Sequence, residues 1–312
     1  MSLRRECPQC RGDRARALWH DGAMRYVRCS RCGTVYSDVE RERYESEQHN
    51  VWDDAGLGAD TVAFYRTARE RVHQQFLAGL PPSGNGRLLD VGCGLGYFVE
   101  RALERGWDAY GCDTATAWVQ QAQGRLGVDR IRLGAPTASI FGGEGFDLIT
   151  AWDVLEHVHD PLPFLRALTG LIAPGGTVFI RTPNLAWILP TYWLRRHLLR
   201  EQIELGPLNH VVYYTSRTLT AALAEAGLEP AAWPVFVPPQ VGFANRDPSQ
   251  AGRRSKVTIA KNAHARVAGA LARFSGGRVV VGADLDVLAR RSSPEGVRTE
   301  AYRATSERML AR

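Results

Sequence analysis

Residues 88–100, Leu-Leu-Asp-Val-Gly-Cys-Gly-Leu-Gly-Tyr-Phe-Val-Glu, set an acid and three alternate glycines between an apolar run and an amphipathic segment. Asp90 closes the run; Gly92, Cys93, Gly94 and Gly96 follow, then Tyr97 and Phe98. Such a stretch turns sharply from strand to helix, and its glycines let a ligand approach backbone where a Cβ would clash. It is not the dinucleotide fingerprint, which needs its third glycine three residues after the second; Tyr97 stands at that position. Further on, Asp113 ends the next apolar run, just before Thr114. A carboxylate there can accept both hydroxyls of a ribose, or cap the helix that follows. Two histidines, His157 and His210, carry imidazoles that titrate near working pH and can act as general bases. For His157 the alternative is a packing histidine bonded to backbone. Four cysteines form the pairs Cys7-Pro-Gln-Cys10 and Cys29-Ser-Arg-Cys32, with 18 residues between them. Thiolates two residues apart in a tight turn can share one metal, so the spacing points to structural Zn2+ at Cys7, Cys10, Cys29 and Cys32. Disulfide pairing is the alternative, disfavoured in a reducing compartment. Cys93 and Cys112 read as packing residues beside the glycine loop.

The elements that must position these groups alternate between strand and helix from Arg87 onward. The pattern predicts strand 87–91, helix 95–105, strand 109–113, helix 115–126 and strand 130–133. Strand 146–151, a short helix 153–158, helix 161–171 and strand 176–182 come next. Helix 215–226, strand 228–237 and a last strand drawn from 279–281 and 284–288 complete it. That order implies a parallel sheet covered on both faces, with right-handed crossovers. Ligands of such sheets sit outside the carboxyl ends of the strands, where Asp90, Asp113 and Trp152-Asp153 fall. Residues 1–40 read as a zinc ribbon, 41–85 as a connector and capping helix, 86–291 as the main domain, and 292–312 as a polar tail. Insertions occupy 183–214 and 238–277, the second with a helix at 257–274. The aromatic cluster Trp187–Trp193 can line a pocket, dip into a membrane interface beside Arg195, Arg196 and Arg200, or pack as core.

The chain has 312 residues, 45% of them hydrophobic, and a net charge of +6. No apolar run reaches the roughly 18 residues of a membrane-spanning helix, and the N-terminus lacks a signal-peptide pattern, so a cytoplasmic protein is expected. From residue 251 to the end, 13 Lys and Arg face 5 Asp and Glu, a balance that suits a solvated face or an anionic partner. Residues 1–50 carry 10 Arg against 8 Asp and Glu, a thin excess for a module that reads nucleic-acid phosphates.

Beyond the glycine loop, Phe146-Asp147-Leu148-Ile149, Asp153-Val154-Leu155-Glu156-His157-Val158 and Leu171-Ile172-Ala173-Pro174-Gly175-Gly176 recur in an order and spacing that resembles class I S-adenosylmethionine (SAM)-dependent methyltransferases. Thr182-Pro183-Asn184 and His210 with Tyr213-Tyr214-Thr215 look like the branch that includes ubiquinone-biosynthesis O-methyltransferases. The resemblance covers about residues 86–236. A four-cysteine ribbon is similar to one found on some bacterial sugar and secondary-metabolite methyltransferases. The resemblance implies an α/β fold, a Rossmann-like seven-stranded methyltransferase sheet with a small N-terminal zinc ribbon. It further implies SAM contacts from Asp90, Gly92, Cys93, Gly94, Gly96, Tyr97, Phe98, Asp113, Thr114, Trp152, Asp153 and His157. His210, His157 and Tyr214 become the catalytic candidates. Asp153, Glu156 and His157, at i, i+3 and i+4, are a candidate divalent-cation face of the kind the ubiquinone branch suggests. Where relatives often carry a polar adenine contact, this chain has Gly134-Ala135-Pro136. The expected activity is methyl transfer to O, C or N of a small-molecule acceptor such as a sugar nucleotide, lipid or secondary metabolite. An RNA-modifying enzyme with a docking ribbon and a non-catalytic adaptor are the alternatives. No transmembrane segment is expected, peripheral membrane contact stays open, and the sequence leaves the oligomeric state open.

Overall fold

The computed structural model describes residues 5–21, 24–44, 62–63, 66, 69–80, 86–143, 145–198, 200, 210–236 and 266–292. Three antiparallel strands open the chain: β1 (Ala15–Asp21), β2 (Met24–Cys29) and β3 (Val35–Ser37). Helix α1 (Glu70–Gly79) precedes the main sheet, whose first half runs β4 (Arg87–Val91), α2 (Tyr97–Glu104), β5 (Asp108–Asp113), α3 (Thr116–Leu126) and β6 (Ile131–Leu133). The second half runs β7 (Phe146–Trp152), α4 (Pro161–Leu171), β8 (Ile172–Pro183), α5 (Leu185–Trp193), β9 (Val212–Tyr213), α6 (Ser216–Glu225), β10 (Leu228–Ala232) and β11 (Asp284–Arg291). Seven strands join in the order β10-β11-β8-β7-β4-β5-β6. β10 and β11 run antiparallel; β8, β7, β4, β5 and β6 are mutually parallel.

Alternation along the strands assigns side chains to two faces. On one face Leu88, Leu148, Trp152 and Phe179 pack under Phe76 of α1 and Phe98 and Val99 of α2. On the other, Leu89, Ile149, Val178 and Val287 meet Leu165 and Leu168 of α4 and Leu219 and Leu223 of α6. Pro161 in the first turn of α4 and a Thr215–Thr218 capping box on α6 fix where those helices begin.

Several boundaries depart from the sequence reading. Residues 153–158 form no α-helix: Asp153 takes a left-handed conformation (φ 51°), and a 3-10 turn covers Leu155–His157. Asp160 precedes Pro161 and is held extended, so the segment cannot propagate into α4. β8 begins at Ile172 rather than at 176, β10 ends at Ala232, and β11 starts at Asp284 without residues 279–281. Residues 266–274 are helical; 257–265 of that expected helix, the connector 45–61 and the tail 293–312 lie outside the described residues.

The largest difference concerns the ribbon. Its sheet has four strands, β1-β2-β3-β9, because Val35 and Tyr36 of β3 pair with Tyr213 and Val212. Ribbon residues Tyr26, Val27, Val35 and Tyr36 share one apolar cluster with Leu155, Val211 and Leu219. Only part of the 187–193 cluster is core: Ile188, Leu189 and Tyr192 pack inward, whereas Trp187 and Trp193 are 37% and 49% exposed. Among the described residues no helix is long and apolar enough to cross a membrane.

Candidate functional site

β4 delivers Asp90 and the glycine loop to the carboxyl edge of the sheet. Gly92, Gly94 and Gly96 all take positive φ (72°, 51° and 73°), which an L side chain adopts only under strain. The N–H groups of Gly92 and Cys93 donate to Cys112 O at 2.8 and 3.1 Å, tying the loop to β5. Asp113 completes that tie: its Oδ2 accepts from Gly94 N–H at 2.8 Å and its Oδ1 from Ala115 N–H at 2.9 Å. The carboxylate therefore anchors the loop and also serves the turn into α3. A carboxylate oxygen can accept more than one hydrogen bond. Asp90 is buried, and its Oδ1 accepts the Thr150 hydroxyl at 2.7 Å. Burial pushes its pKa up to about 8, against the pull of Thr150, with the nearby Asp113 adding to the rise.

The floor beside this loop is aromatic. Trp152, at the end of β7, lies 4.8 Å from the His73 ring, 5.2 Å from Phe76 and 5.3 Å from Phe98. His73 and Phe76 belong to α1, so that helix packs directly against Trp152. Trp152 Nε1 and His73 Nε2 are buried without a hydrogen-bond partner. Burial holds His73 well below its usual range, in the neutral form. A glycine-lined turn beside a carboxylate is an arrangement that can take a nucleoside ligand. Phe98 joins the aromatic cluster, Tyr97 stacks under the Arg125 guanidinium at 4.5 Å, and Thr114 is exposed beyond Asp113. Cys93 is buried, with its sulfur against Gly111, and burial raises its thiol pKa well above normal, as an inert packing role requires.

On the neighbouring edge, Asp153 forms an ion pair with Arg69. The expected i, i+3, i+4 cation face is not formed, because the left-handed Asp153 turns away from a helical repeat. Among the described residues, the groups that gather are Glu156, His157 and His210, with candidate ligand atoms within 4.8 Å of one another. Glu156 is buried; its Oε2 accepts from the Thr182 hydroxyl at 2.9 Å, and Oε1 has no partner. Desolvation first, then repulsion from Asp153, raises its pKa well above the carboxylate range. The His157 and His210 rings meet edge to face at 4.7 Å. Burial, with His157 adding to it, lowers the His210 pKa to about 2. Tyr214 is fully buried with an unpartnered hydroxyl whose pKa burial raises, so it does not face an open acceptor cleft.

The four cysteine sulfurs also converge, within 4.8 Å of one another. Cys7 and Cys32 Sγ lie 3.6 Å apart, and Cys10 and Cys29 Sγ 3.5 Å. These separations approach the edge of about 3.8 Å that a tetrahedron with Zn–S bonds near 2.3 Å would have. A Cβ at Gly12 would stand 3.3 Å from the Cys10 sulfur, so glycine is what lets the knuckle close around the thiols. The hydrogen bond from Cys7 pulls the Cys32 thiol down to about 4, into the thiolate form that a metal takes. All four thiols are free, and the donor set fits a structural metal.

A family described as "Methyltransferase domain" matches residues 64–232, more than half of the chain. The chain belongs to this methyltransferase family. Its domain carries both the glycine loop and the histidine pair. A "Ubiquinone biosynthesis O-methyltransferase" of Parvibaculum lavamentivorans is 33% identical over 157 residues, 46% of this chain and 62% of that protein. One of the same description from Caulobacter sp. is 32% identical over 154 residues, 46% of this chain and 61% of the relative. The chain thus spans about three-fifths of the length of these curated relatives. Among solved structures, the complex containing the Haloferax volcanii Trm112 methyltransferase activator superposes with a TM-score of 0.50 at 15% identity, over 79% of this chain and 98% of that one. This likeness concerns the fold alone.

Sequence reasoning missed Arg69, His73 and Thr150, and named Thr182 only as part of a motif. Thr150 had a signal, a lone hydroxyl inside the apolar run Leu148–Trp152. Arg69 and His73 had one too, at i and i+4 across the start of the capping helix.

Proposed function

We propose that this chain transfers the methyl group of SAM to an oxygen, carbon or nitrogen of a small-molecule acceptor, drawn from sugar nucleotides, lipids or secondary metabolites. The observation that carries this reading is the Asp113 carboxylate locking Gly94 at the sheet edge, in a turn whose three glycines all take positive φ. When bound, SAM supplies an electrophilic methyl for in-line displacement. Gly92, Gly94 and Gly96 admit its amino-acid moiety to the backbone, Asp113 orients its ribose, and Trp152 forms the floor where methyl and acceptor meet. Asp153, held by Arg69, borders the acceptor side. His210 and His157 are the proposed proton acceptors. Burial keeps the His210 imidazole neutral, the form a proton acceptor must have. The four thiolates Cys7, Cys10, Cys29 and Cys32 are proposed to hold structural zinc, which supports folding of a ribbon too small for a core of its own. The ubiquinone-biosynthesis description of the relatives favours a hydroxylated aromatic or lipid-like acceptor.

Calorimetric titration with SAM tests the cofactor assignment. Incubation of methyl-labelled SAM with a deproteinised extract of the producing cell, read by mass, tests transfer. A labelled small molecule supports the reading; label confined to RNA, or SAM binding without any labelled product, contradicts it.

A further inference from the structure

Both histidine-bearing loops are gripped by hydroxyl groups, one from the ribbon and one from the start of the connector that follows it. Tyr26 of β2 donates its hydroxyl to His210 O at 2.8 Å, and Tyr44 donates to His157 O at 2.9 Å. Both tyrosines are buried, 1% and 3% exposed. Further bonds hold the same loops. Ser37 N–H donates to Val211 O at 2.8 Å, and Val211 N–H to Glu156 O at 2.8 Å. Arg5 Nη1 donates to His159 O at 3.3 Å, and the His159 ring nitrogen meets Val39 O at 3.2 Å. A 3-10 turn and a two-residue strand have few bonds of their own, so anchors from outside decide where they sit. Buried carbonyls demand a donor, and a hydroxyl on a packed ring supplies one in a fixed place.

We propose that Tyr26 and Tyr44 are positioning residues, which set the separation and tilt of the His157–His210 pair, and that the ribbon is a working part of the acceptor side. The proposal rests on the reading of those two histidines as acceptor-side groups. Reacting groups tolerate little misplacement: a shift of about 1 Å costs roughly a hundredfold in rate. Loss of one anchoring hydroxyl therefore acts on transfer while leaving the glycine loop and Asp113 untouched.

The test uses Tyr26→Phe and Tyr44→Phe in the full chain. Phenylalanine keeps the ring packing, which for Tyr26 includes Trp19 at 4.8 Å and Tyr213 at 5.5 Å. Tyr110→Phe is the control, since its hydroxyl bonds Asp108, two residues earlier on β5, and touches neither histidine-bearing loop. Three quantities are measured: the SAM dissociation constant, the rate of label transfer from methyl-labelled SAM to the deproteinised cell extract, and the ring NMR resonances of His157 and His210 at fixed pH. The expected result is an unchanged dissociation constant, transfer slowed at least about tenfold, and displaced His210 and His157 ring resonances in the respective variants. The control moves neither. Unmoved ring resonances with transfer within twofold of wild type would overturn the proposal, as would a fall in SAM affinity parallel to the fall in rate. If the unmodified chain binds SAM but labels nothing, the transferase reading fails, and the ring resonances still decide whether the tyrosines position the histidines.

Discussion

Replacing Asp113 by alanine removes the group on which the cofactor assignment depends, and the structure gives its size. Two backbone donors lose their acceptor, Gly94 N–H at 2.8 Å and Ala115 N–H at 2.9 Å. Hydrogen bonds to a charged group contribute about 1.5–3 kcal/mol each. Asp113 is only partly buried, so water replaces part of that loss and the stability cost falls at the low end. Binding suffers separately, because the carboxylate would also take the ribose hydroxyls. The expected increase in the SAM dissociation constant is at least about tenfold, or ~1.4 kcal/mol. Calorimetric titration at pH 7.5, paired with a melting curve of the ligand-free protein, reads the two effects independently. Asp113→Asn retains one acceptor oxygen and should fall between wild type and alanine. A dissociation constant within twofold of wild type for the alanine variant, alongside a lowered melting temperature, would refute the reasoning: Asp113 would then be a loop anchor and nothing more.

Three further outcomes follow from particular contacts. Asp90, whose ordinary pKa of 3.8 is raised to about 8 in the fold, binds more protons folded than unfolded between those values, so it costs stability as pH rises through that window; the melting temperature of Asp90→Asn should gain on wild type from about pH 4 to pH 8, and parallel profiles would be the contrary result. Arg181 and Asp286 form a buried two-bond ion pair at 2.7 and 2.8 Å; Arg181→Met should cost about 3–5 kcal/mol in urea unfolding, and adding Asp286→Leu should recover most of it. Cys29→Ser should speed amide exchange in β2, β3 and also in β9, through the Val35–Tyr213 pairing, with SAM affinity unchanged; exchange confined to residues 15–37 would separate β9 from the other three strands of that sheet.

The main sheet was readable because its strands announce themselves locally. The run ending at Asp90, the apolar stretch from Phe146 to Trp152 and the Pro161-led helix to Leu171 carry their own periodicity and boundary residues, and α4 falls where the sequence put it. The glycine loop was legible for the same reason, since three positive φ angles leave few other residues possible. What stayed hidden depends on distant partners. Two residues, Val212 and Tyr213, give no strand signal, and they become one only because β3 offers a free edge. Asp153 looked like the first residue of a helix, whereas its pairing with Arg69 and the proline after Asp160 impose a turn. The candidate ligand atoms that gather are therefore those of Glu156, His157 and His210 rather than of Asp153, Glu156 and His157, a grouping that joins residues more than fifty positions apart. Tyr214 read as a reactive hydroxyl beside His210, yet it lies on the wholly buried side.

The most direct check on the account is a crystal structure with S-adenosylhomocysteine, the product of transfer. The expected density runs along Gly92–Gly96, with the ribose hydroxyls on the Asp113 carboxylate and the sulfur directed toward Trp152. Density for that ligand elsewhere, with the glycine turn taken by a different nucleotide, would contradict it.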